Sequence, residues 1–151
     1  IGQVGGSEDG SVDLEVLITS TEEAKRFEHE TGIDALAIAI GNAHGVYKGE
    51  PNLRIDRLQE INKEVAIPLV LHGGSGISQE DFRTCISRGI RKINVATSTF
   101  NAVVSRVNEY APFQDYFTYH ERVIEAAAEN VKRHMLMFQS DGRVKGGIIH
   151  V

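Results

Sequence analysis

The hydrophobic and polar positions of this chain form three short apolar runs, each followed at once by small and polar residues. The three segments are 35–45, 68–76 and 92–98. A run that is apolar on both faces is typical of a strand in a parallel sheet covered by helices. The pattern therefore predicts parallel strands over 33–40, 67–71 and 92–95, with polar groups gathered at their carboxyl edge, where α/β enzymes place their chemistry.

Helices are predicted before the first of these strands and between the strands. Ser20 and Glu23 have the spacing of a capping box, which predicts a helix over 21–31 that Gly32 ends. The second helix is indicated by apolar residues at helical spacing, namely Ile55, Leu58, Ile61 and Val65. The third helix begins after Ser78, which occupies the same capping position as Ser20.

The pattern towards the end of the chain predicts two further helices. They span 98–110 and 116–138, with Pro112 between them. On the longer helix, the apolar residues expected to face inward are Val123, Ile124, Val131, Met135 and Leu136. The stretch 121–133 is rich in Glu, Asn and Lys, and these residues are expected to form a solvated face.

The alternation of strands and helices predicts an α/β fold. Three strands can neither close a barrel nor cover both faces of a sheet, so the order fits the C-terminal portion of a TIM (β/α)₈ barrel, strands 6–8 with their helices. We expect 1–151 to form a single domain, with 1–19 as an active-site loop region and 143–151 as a tail without an assigned role. The glycine-rich opening 2–10 has no predicted element before it, so we expect a longer parent protein.

Composition excludes several classes of function. The chain has 151 residues, 41% of them hydrophobic, and a net charge of −5. Without a long basic run, nucleic acid is not an expected partner, and no apolar stretch predicts a membrane span or a signal peptide. The single cysteine, Cys85, is expected in the core, and the default compartment is the cytoplasm.

Two histidines follow successive predicted strands, which suggests a metal site. Because neighbouring parallel strands lie about 5 Å apart, His44 and His72 can converge on one ion. The alternative is that each is an ordinary hydrogen-bonded residue at a strand end. Catalytic zinc takes three protein ligands, so a third must come from elsewhere. The other histidines have no expected role in the site: His29, His120 and His134 are expected at the surface, and His150 lies in the tail.

A glycine-rich turn follows the second strand. Gly73, Gly74 and Ser75 precede the helix that Ser78 begins, an arrangement that suits an anion. In TIM barrels, phosphate commonly binds in the loops after strands 7 and 8, which here are the segments 73–76 and 94–97. The alternative is a tight turn with no ligand, and Asn94 with Thr97 favours the phosphate site.

The opening loop carries the candidate acid/base groups. Glu8 and Asp9 lie in a glycine-rich segment that can close over a site. From the pattern alone, a solvated acidic turn is the favoured interpretation.

Four motifs in this order resemble those of the metal-dependent, class II ketose-bisphosphate aldolases. They are Gly-Gly-Ser-Glu-Asp-Gly at 5–10, Gly-Asn-Ala-His-Gly-Val-Tyr-Lys at 41–48, Leu-His-Gly-Gly-Ser-Gly at 71–76 and Lys-Ile-Asn-Val-Ala-Thr at 92–97. The resemblance covers nearly the whole chain up to Gly142. It implies a (β/α)₈ fold whose first strands are not in this sequence.

The resemblance also implies roles for individual residues. His44 and His72 would bind Zn²⁺ or another divalent ion, with the third ligand and one acid outside this sequence. Glu8 would move the proton at the carbon alpha to the carbonyl, and Asn94 would stabilise the developing charge. The dihydroxyacetone phosphate end of the substrate, with a monovalent cation near it, would be held by Gly45, Gly73, Gly74, Ser75, Asn94, Val95, Ala96 and Thr97.

The resemblance therefore implies reversible cleavage of a ketose 1,6-bisphosphate. The full-length protein would be a homo-oligomer, a dimer or a tetramer, acting on a phosphorylated sugar. Ser7 and Ala96 lean towards the tagatose-bisphosphate branch rather than the fructose-bisphosphate branch. Two alternatives remain open: an aldolase for another phosphorylated sugar or sugar acid, and an inactive metal- or phosphate-binding fragment.

Overall fold

The computed structural model describes residues 1–2, 4–6, 18–45, 47 and 50–143. Glu8 and the tail beyond Arg143 lie outside the described residues. The chain divides into two compact units, Ile1–Ser98 and Thr99–Val151. In chain order the elements are β1 (Gly5–Gly6), α1 (Thr21–Thr31), β2 (Leu36–Ile38), β3 (Ala43–His44), α2 (Ile55–Glu64), β4 (Leu69–Leu71), α3 (Gln79–Ser87), β5 (Ile90–Ile93), α4 (Thr97–Tyr110) and α5 (Tyr116–Met137).

The core of the first unit is a three-stranded parallel sheet in the order β2–β4–β5. Ile38 pairs with Leu71, which in turn pairs with Ile93. The α/β class and the three parallel strands are thus confirmed, although each strand is shorter than predicted or shifted. Strand β5 begins at Ile90 instead of residue 92, because Gly89, with φ 122°, turns the chain from α3 directly into the strand.

The sheet is covered by apolar residues of the helices. Leu58 and Ile61 of α2 and Phe82 of α3 are fully buried, as are the strand residues Leu36 and Leu71. Burying such side chains removes apolar surface from water and supplies most of the stabilisation of the unit.

Cys85 belongs to the same core, as predicted. Burial raises the pKa of its thiol to about 12, so the sulfur is a neutral packing group at physiological pH.

A second, two-stranded sheet was not predicted. Gly5 pairs with Ala43 and Gly6 with His44 in a parallel arrangement. Two expectations are corrected: residues 5–6 of the opening segment form a strand, and His44 lies in a strand of its own beyond β2. Gly41, with φ 92°, turns the chain between β2 and β3.

In the second unit, α5 presents a different face from the predicted one. Of the residues expected to face inward, Ile124, Val131, Met135 and Leu136 are 46–53% exposed, and the buried side chains are Ala126, Asn130 and His134. The reason is that α5 meets α4 through polar groups. Thr99 Oγ1 donates to Asn130 Oδ1 at 3.2 Å, and Arg106 pairs with Glu129 at 2.7 Å.

The prediction of His134 as a surface residue is also wrong. The residue is 8% exposed, and its Nδ1 donates to the Asn130 carbonyl oxygen at 2.8 Å, with the ring against Phe138. The predicted solvated face over 121–133 is likewise interrupted by Ala126 and Asn130. His29 and His120 are exposed, as expected. No helix within the described ranges combines the length and apolar character needed to cross a bilayer.

The first helix provides a test of the capping assignment. Ser20 Oγ accepts from the Glu23 N–H at 3.2 Å, and the Glu23 carboxylate accepts from the Ser20 N–H at 3.0 Å. We expect Ser20→Ala to lower the free energy of unfolding by about 1 kcal/mol, and Ser20→Gly by only a few tenths, since glycine is tolerated at this position. Denaturant titration of both variants measures the difference, and equal losses would contradict the assignment.

The same box predicts a pH dependence. Hydrogen bonds from Ser20 hold the pKa of the Glu23 carboxyl below its ordinary value. The stabilisation is therefore present above that ordinary pKa and is lost as the pH falls through the lowered one. We expect the stability difference between the parent and Glu23→Gln to shrink on acidification, as followed by thermal melts from neutral to acid pH. A difference that grows instead would contradict this sign.

Candidate functional site

The predicted site residues line one cleft of about 520 Å³ at the carboxyl ends of the strands. Ile93 is the one lining residue that was not predicted. Apart from Glu8 and Asp9, which lie outside the described residues, every predicted site residue is among the rest: His44, Gly45, His72, Gly73, Gly74, Ser75, Asn94, Val95, Ala96 and Thr97. The structure therefore brings these residues together, while their roles stay predictions.

The two histidines meet edge to face in this cleft. Their ring centroids lie 5.7 Å apart with an interplanar angle of 68°. Partial burial, together with the neighbouring His44 and Lys92, lowers the pKa of His72. A lower pKa enlarges the neutral fraction of the imidazole at neutral pH, and the neutral ring is the form that binds metal ions.

The histidine pair supplies only part of a metal site. Within the portion of the chain that the structure describes, no group of three or more His, Cys, Asp or Glu side chains is arranged to hold a metal ion. The chemistry of the pair suits zinc, which imidazole nitrogen binds at about 2.0–2.1 Å. These residues fit two ligand positions of such an ion.

Asn94, the residue after β5, contacts the imidazole of His72. Its amide Nδ2 lies 3.0 Å from His72 Nε2, while its Oδ1 contacts the Lys92 ammonium. The ammonium donates to the oxygen, so the amide NH₂ is directed at the ring nitrogen and at the cleft.

The glycine-rich turn is held in place by its own backbone contacts. Gly73 has φ 65°, and a Cβ at this position would lie 2.1 Å from the Ala43 carbonyl oxygen. The Gly74 N–H donates to the Asn94 carbonyl oxygen at 3.1 Å. Only glycine allows the segment after β4 to pass this close to β3.

Ser75 has a structural contact that was not predicted. Its hydroxyl accepts from the Ser98 N–H at 2.9 Å, and the residue is 8% exposed. Ser75 thereby accepts from an N–H in the first turn of α4, where the N–H groups have no carbonyl of the same helix to bind. A hydroxyl that accepts a hydrogen bond can also donate one, and Ser75 is among the residues that line the cleft.

Two residues near His44, Asn42 and Tyr47, contact the site although no role was predicted for them. Asn42 is 1% exposed, and its Nδ2 donates to the His72 carbonyl oxygen at 3.0 Å. The Tyr47 hydroxyl accepts from the Ala43 N–H at 2.9 Å and donates to the Gly73 carbonyl oxygen at 3.0 Å. Both residues lie within the motif around His44, which was the one sequence signal for a role in the site. That role could not be predicted, because the carbonyl groups to which they donate lie 26 to 30 residues further along the chain.

Comparison with known proteins agrees with this geometry. The family model described as fructose-bisphosphate aldolase class-II matches residues 1–143. The chain belongs to this class II aldolase family. Among the relatives of this chain is the uncharacterized protein YdjI from Escherichia coli K12. It is 40% identical over 127 residues, which make up 84% of this chain and 45% of YdjI.

Solved structures show the same relationship. The crystal structure of the YdjI aldolase matches with a TM-score of 0.80 and 40% identity, covering 85% of this chain and 48% of YdjI. A candidate fructose-1,6-bisphosphate aldolase from Coccidioides immitis matches with a TM-score of 0.83 and 37% identity, over 94% and 51% of the two chains. A fructose-bisphosphate aldolase from Campylobacter jejuni, at 22% identity and a TM-score of 0.69, shares the fold. The chain thus spans about half the length of the relatives named here.

A matched pair of glycines tests the close approach of the two histidine-bearing segments. Gly32 and Gly73 have nearly the same φ, 61° and 65°, but a Cβ at residue 32 would meet no atom within 4 Å. We expect Gly32→Ala to cost about 1 kcal/mol of backbone strain. Gly73→Ala should cost clearly more, because the methyl group overlaps the Ala43 carbonyl. Chemical denaturation measures both losses, and equal costs would mean that residue 73 is not sterically confined.

Proposed function

We propose that the protein to which this chain belongs catalyses the metal-dependent, reversible aldol cleavage of a ketose 1,6-bisphosphate. The products are dihydroxyacetone phosphate and glyceraldehyde 3-phosphate. One observation carries the proposal: in a chain of the class II aldolase family, two imidazoles 5.7 Å apart share a cleft with a glycine-rich turn and Asn94.

His44 and His72 would hold a zinc or other divalent ion together with a third ligand. When bound, the ion acts as a Lewis acid that polarises the substrate carbonyl. A ring nitrogen that binds a cation no longer accepts a hydrogen bond. The Asn94 amide, now 3.0 Å from His72 Nε2, would then be free to donate to the substrate oxygen on which negative charge develops.

We assign the phosphate of the substrate to the part of the cleft where α4 begins. Helix α4 begins at Thr97, so the partial positive charge of its N-terminus lies at the lining segment 94–97. We assign the phosphate contacts to Gly45, Gly73, Ser75, Val95, Ala96 and Thr97, with Gly74 holding the turn through its bond to Asn94. A monovalent cation beside the phosphate is part of the same proposal.

Glu8 is the proposed acid/base group. It would move the proton at the carbon alpha to the carbonyl while the phosphate contacts hold the reacting carbons in place. The segment that carries it follows β1, which pairs Gly6 with His44. Glu8 is two residues along the chain from Gly6, and this nearness in sequence to a residue paired with His44 supports the assignment.

We further propose that the described sheet corresponds to the last three strands of a (β/α)₈ barrel. The order β2–β4–β5 follows the chain, as barrel strands do. Ser7 and Ala96 favour a tagatose-type substrate over fructose bisphosphate. A different phosphorylated sugar or sugar acid is the second candidate, because the relative YdjI is identified only as an aldolase.

Metal removal and a histidine substitution test the proposal in the full-length protein. We expect chelation, or His44→Ala, to lower the rate of retro-aldol cleavage by about 100-fold or more, since a Lewis acid contributes several kcal/mol to the barrier. Cleavage is followed with fructose and tagatose 1,6-bisphosphates, and added Zn²⁺ should restore the chelated parent. The exposed His120 gives the matched control variant His120→Ala, which should retain activity. Full activity after complete metal removal would contradict the proposal.

A further inference from the structure

The hydroxyl of Tyr47 contacts the backbone of both histidine-bearing segments. We propose that Tyr47 is a positioning residue whose hydroxyl fixes the distance between His44 and His72. This inference rests on the proposed function, since it treats the two histidines as metal ligands.

The contacts of the Tyr47 hydroxyl place it between the two ligands. It accepts from the N–H of Ala43, the residue before His44, and donates to the carbonyl oxygen of Gly73, the residue after His72. Both partners are backbone atoms. Movement of either segment therefore lengthens a hydrogen bond and is resisted, so the hydroxyl couples the positions of the two imidazoles.

The environment of Tyr47 keeps both hydrogen bonds in place. Burial raises the pKa of its phenol, so the group stays protonated and continues to donate to Gly73 at physiological pH. Its ring lies against Gly76, where a Cβ would be 3.1 Å from Tyr47 Cδ2. The ring has this position because residue 76 carries no side chain.

A metal ion is sensitive to the spacing that Tyr47 controls. Ligand distances in a functional metal site hold within about 0.2 Å of their ideal values. Groups that orient the ligands typically contribute about 10–100-fold to metal affinity. Asn42 also ties the segments, through the His72 carbonyl oxygen. Because its side chain is fully buried, removing it disturbs the fold, whereas Tyr47→Phe removes one oxygen atom.

The test compares Tyr47→Phe with the parent in the full-length protein. Zn²⁺ affinity is measured by competition with a chromophoric chelator, and the visible spectrum is recorded at saturating Co²⁺. We expect about tenfold weaker Zn²⁺ binding and an altered Co²⁺ spectrum. Tyr119→Phe, at a more exposed tyrosine of α5, is the matched control and should leave both measurements unchanged.

The outcomes separate this inference from the proposed function. If His44→Ala and His72→Ala retain the parent Zn²⁺ affinity, the metal assignment itself is wrong. If those variants lose Zn²⁺ but Tyr47→Phe binds as the parent does, the positioning role is overturned. A general loss of stability weakens binding without changing the ligand geometry of the saturated site. An unchanged spectrum at saturating Co²⁺ would therefore also overturn the role, whatever the melting temperature.

Discussion

The site depends on one steric constraint, the approach of the Gly73 backbone to the Ala43 carbonyl. At this distance there is no space for a side chain, since a Cβ would lie 2.1 Å from the oxygen. The backbone conformation, with φ 65°, is also one that residues with a Cβ rarely adopt. Because Ala43 precedes His44 and Gly73 follows His72, the same contact brings the two imidazoles to 5.7 Å.

The rest of the first unit supports that approach. The parallel register of β2, β4 and β5 aligns the carboxyl ends of the strands, with Ile38 level with Leu71 and Ile93. Polar bonds then fix the segments beyond the strands. Asn42 and Tyr47 join the segment around His44 to the backbone at 72–73, and the Gly74 N–H joins the turn to Asn94. A buried apolar sheet thus supports polar segments at the carboxyl ends of its strands, and the hydrogen bonds between these segments hold the site in place, as a preorganised site requires.

Much of this could be predicted from the sequence, because the relevant signals are local. Apolar runs indicated the three strands, and Ser20 and Gly32 marked the ends of α1. Glycine and histidine after a strand are also local features, so the convergence of His44 and His72 could be predicted from the parallel order, although the strand β3 that carries His44 could not.

The features that were missed depend on distant partners. The role of Tyr47 arises from a carbonyl 26 residues away, and β3 exists because Gly6 pairs with His44. On α5, helical periodicity could not show that the face towards α4 is the polar one, formed by Asn130 and Glu129. His134 is buried because its ring nitrogen finds a partner four residues earlier in the same helix.

The central claim is that His44 and His72 together hold one metal ion. A crystal structure of the full-length protein with Zn²⁺, using anomalous scattering at the zinc edge, tests it most directly. We expect one peak at about 2.0–2.1 Å from a ring nitrogen of each histidine, with the Tyr47 hydroxyl bridging Ala43 and Gly73. A zinc peak bound elsewhere, with both imidazoles free of metal, would contradict it.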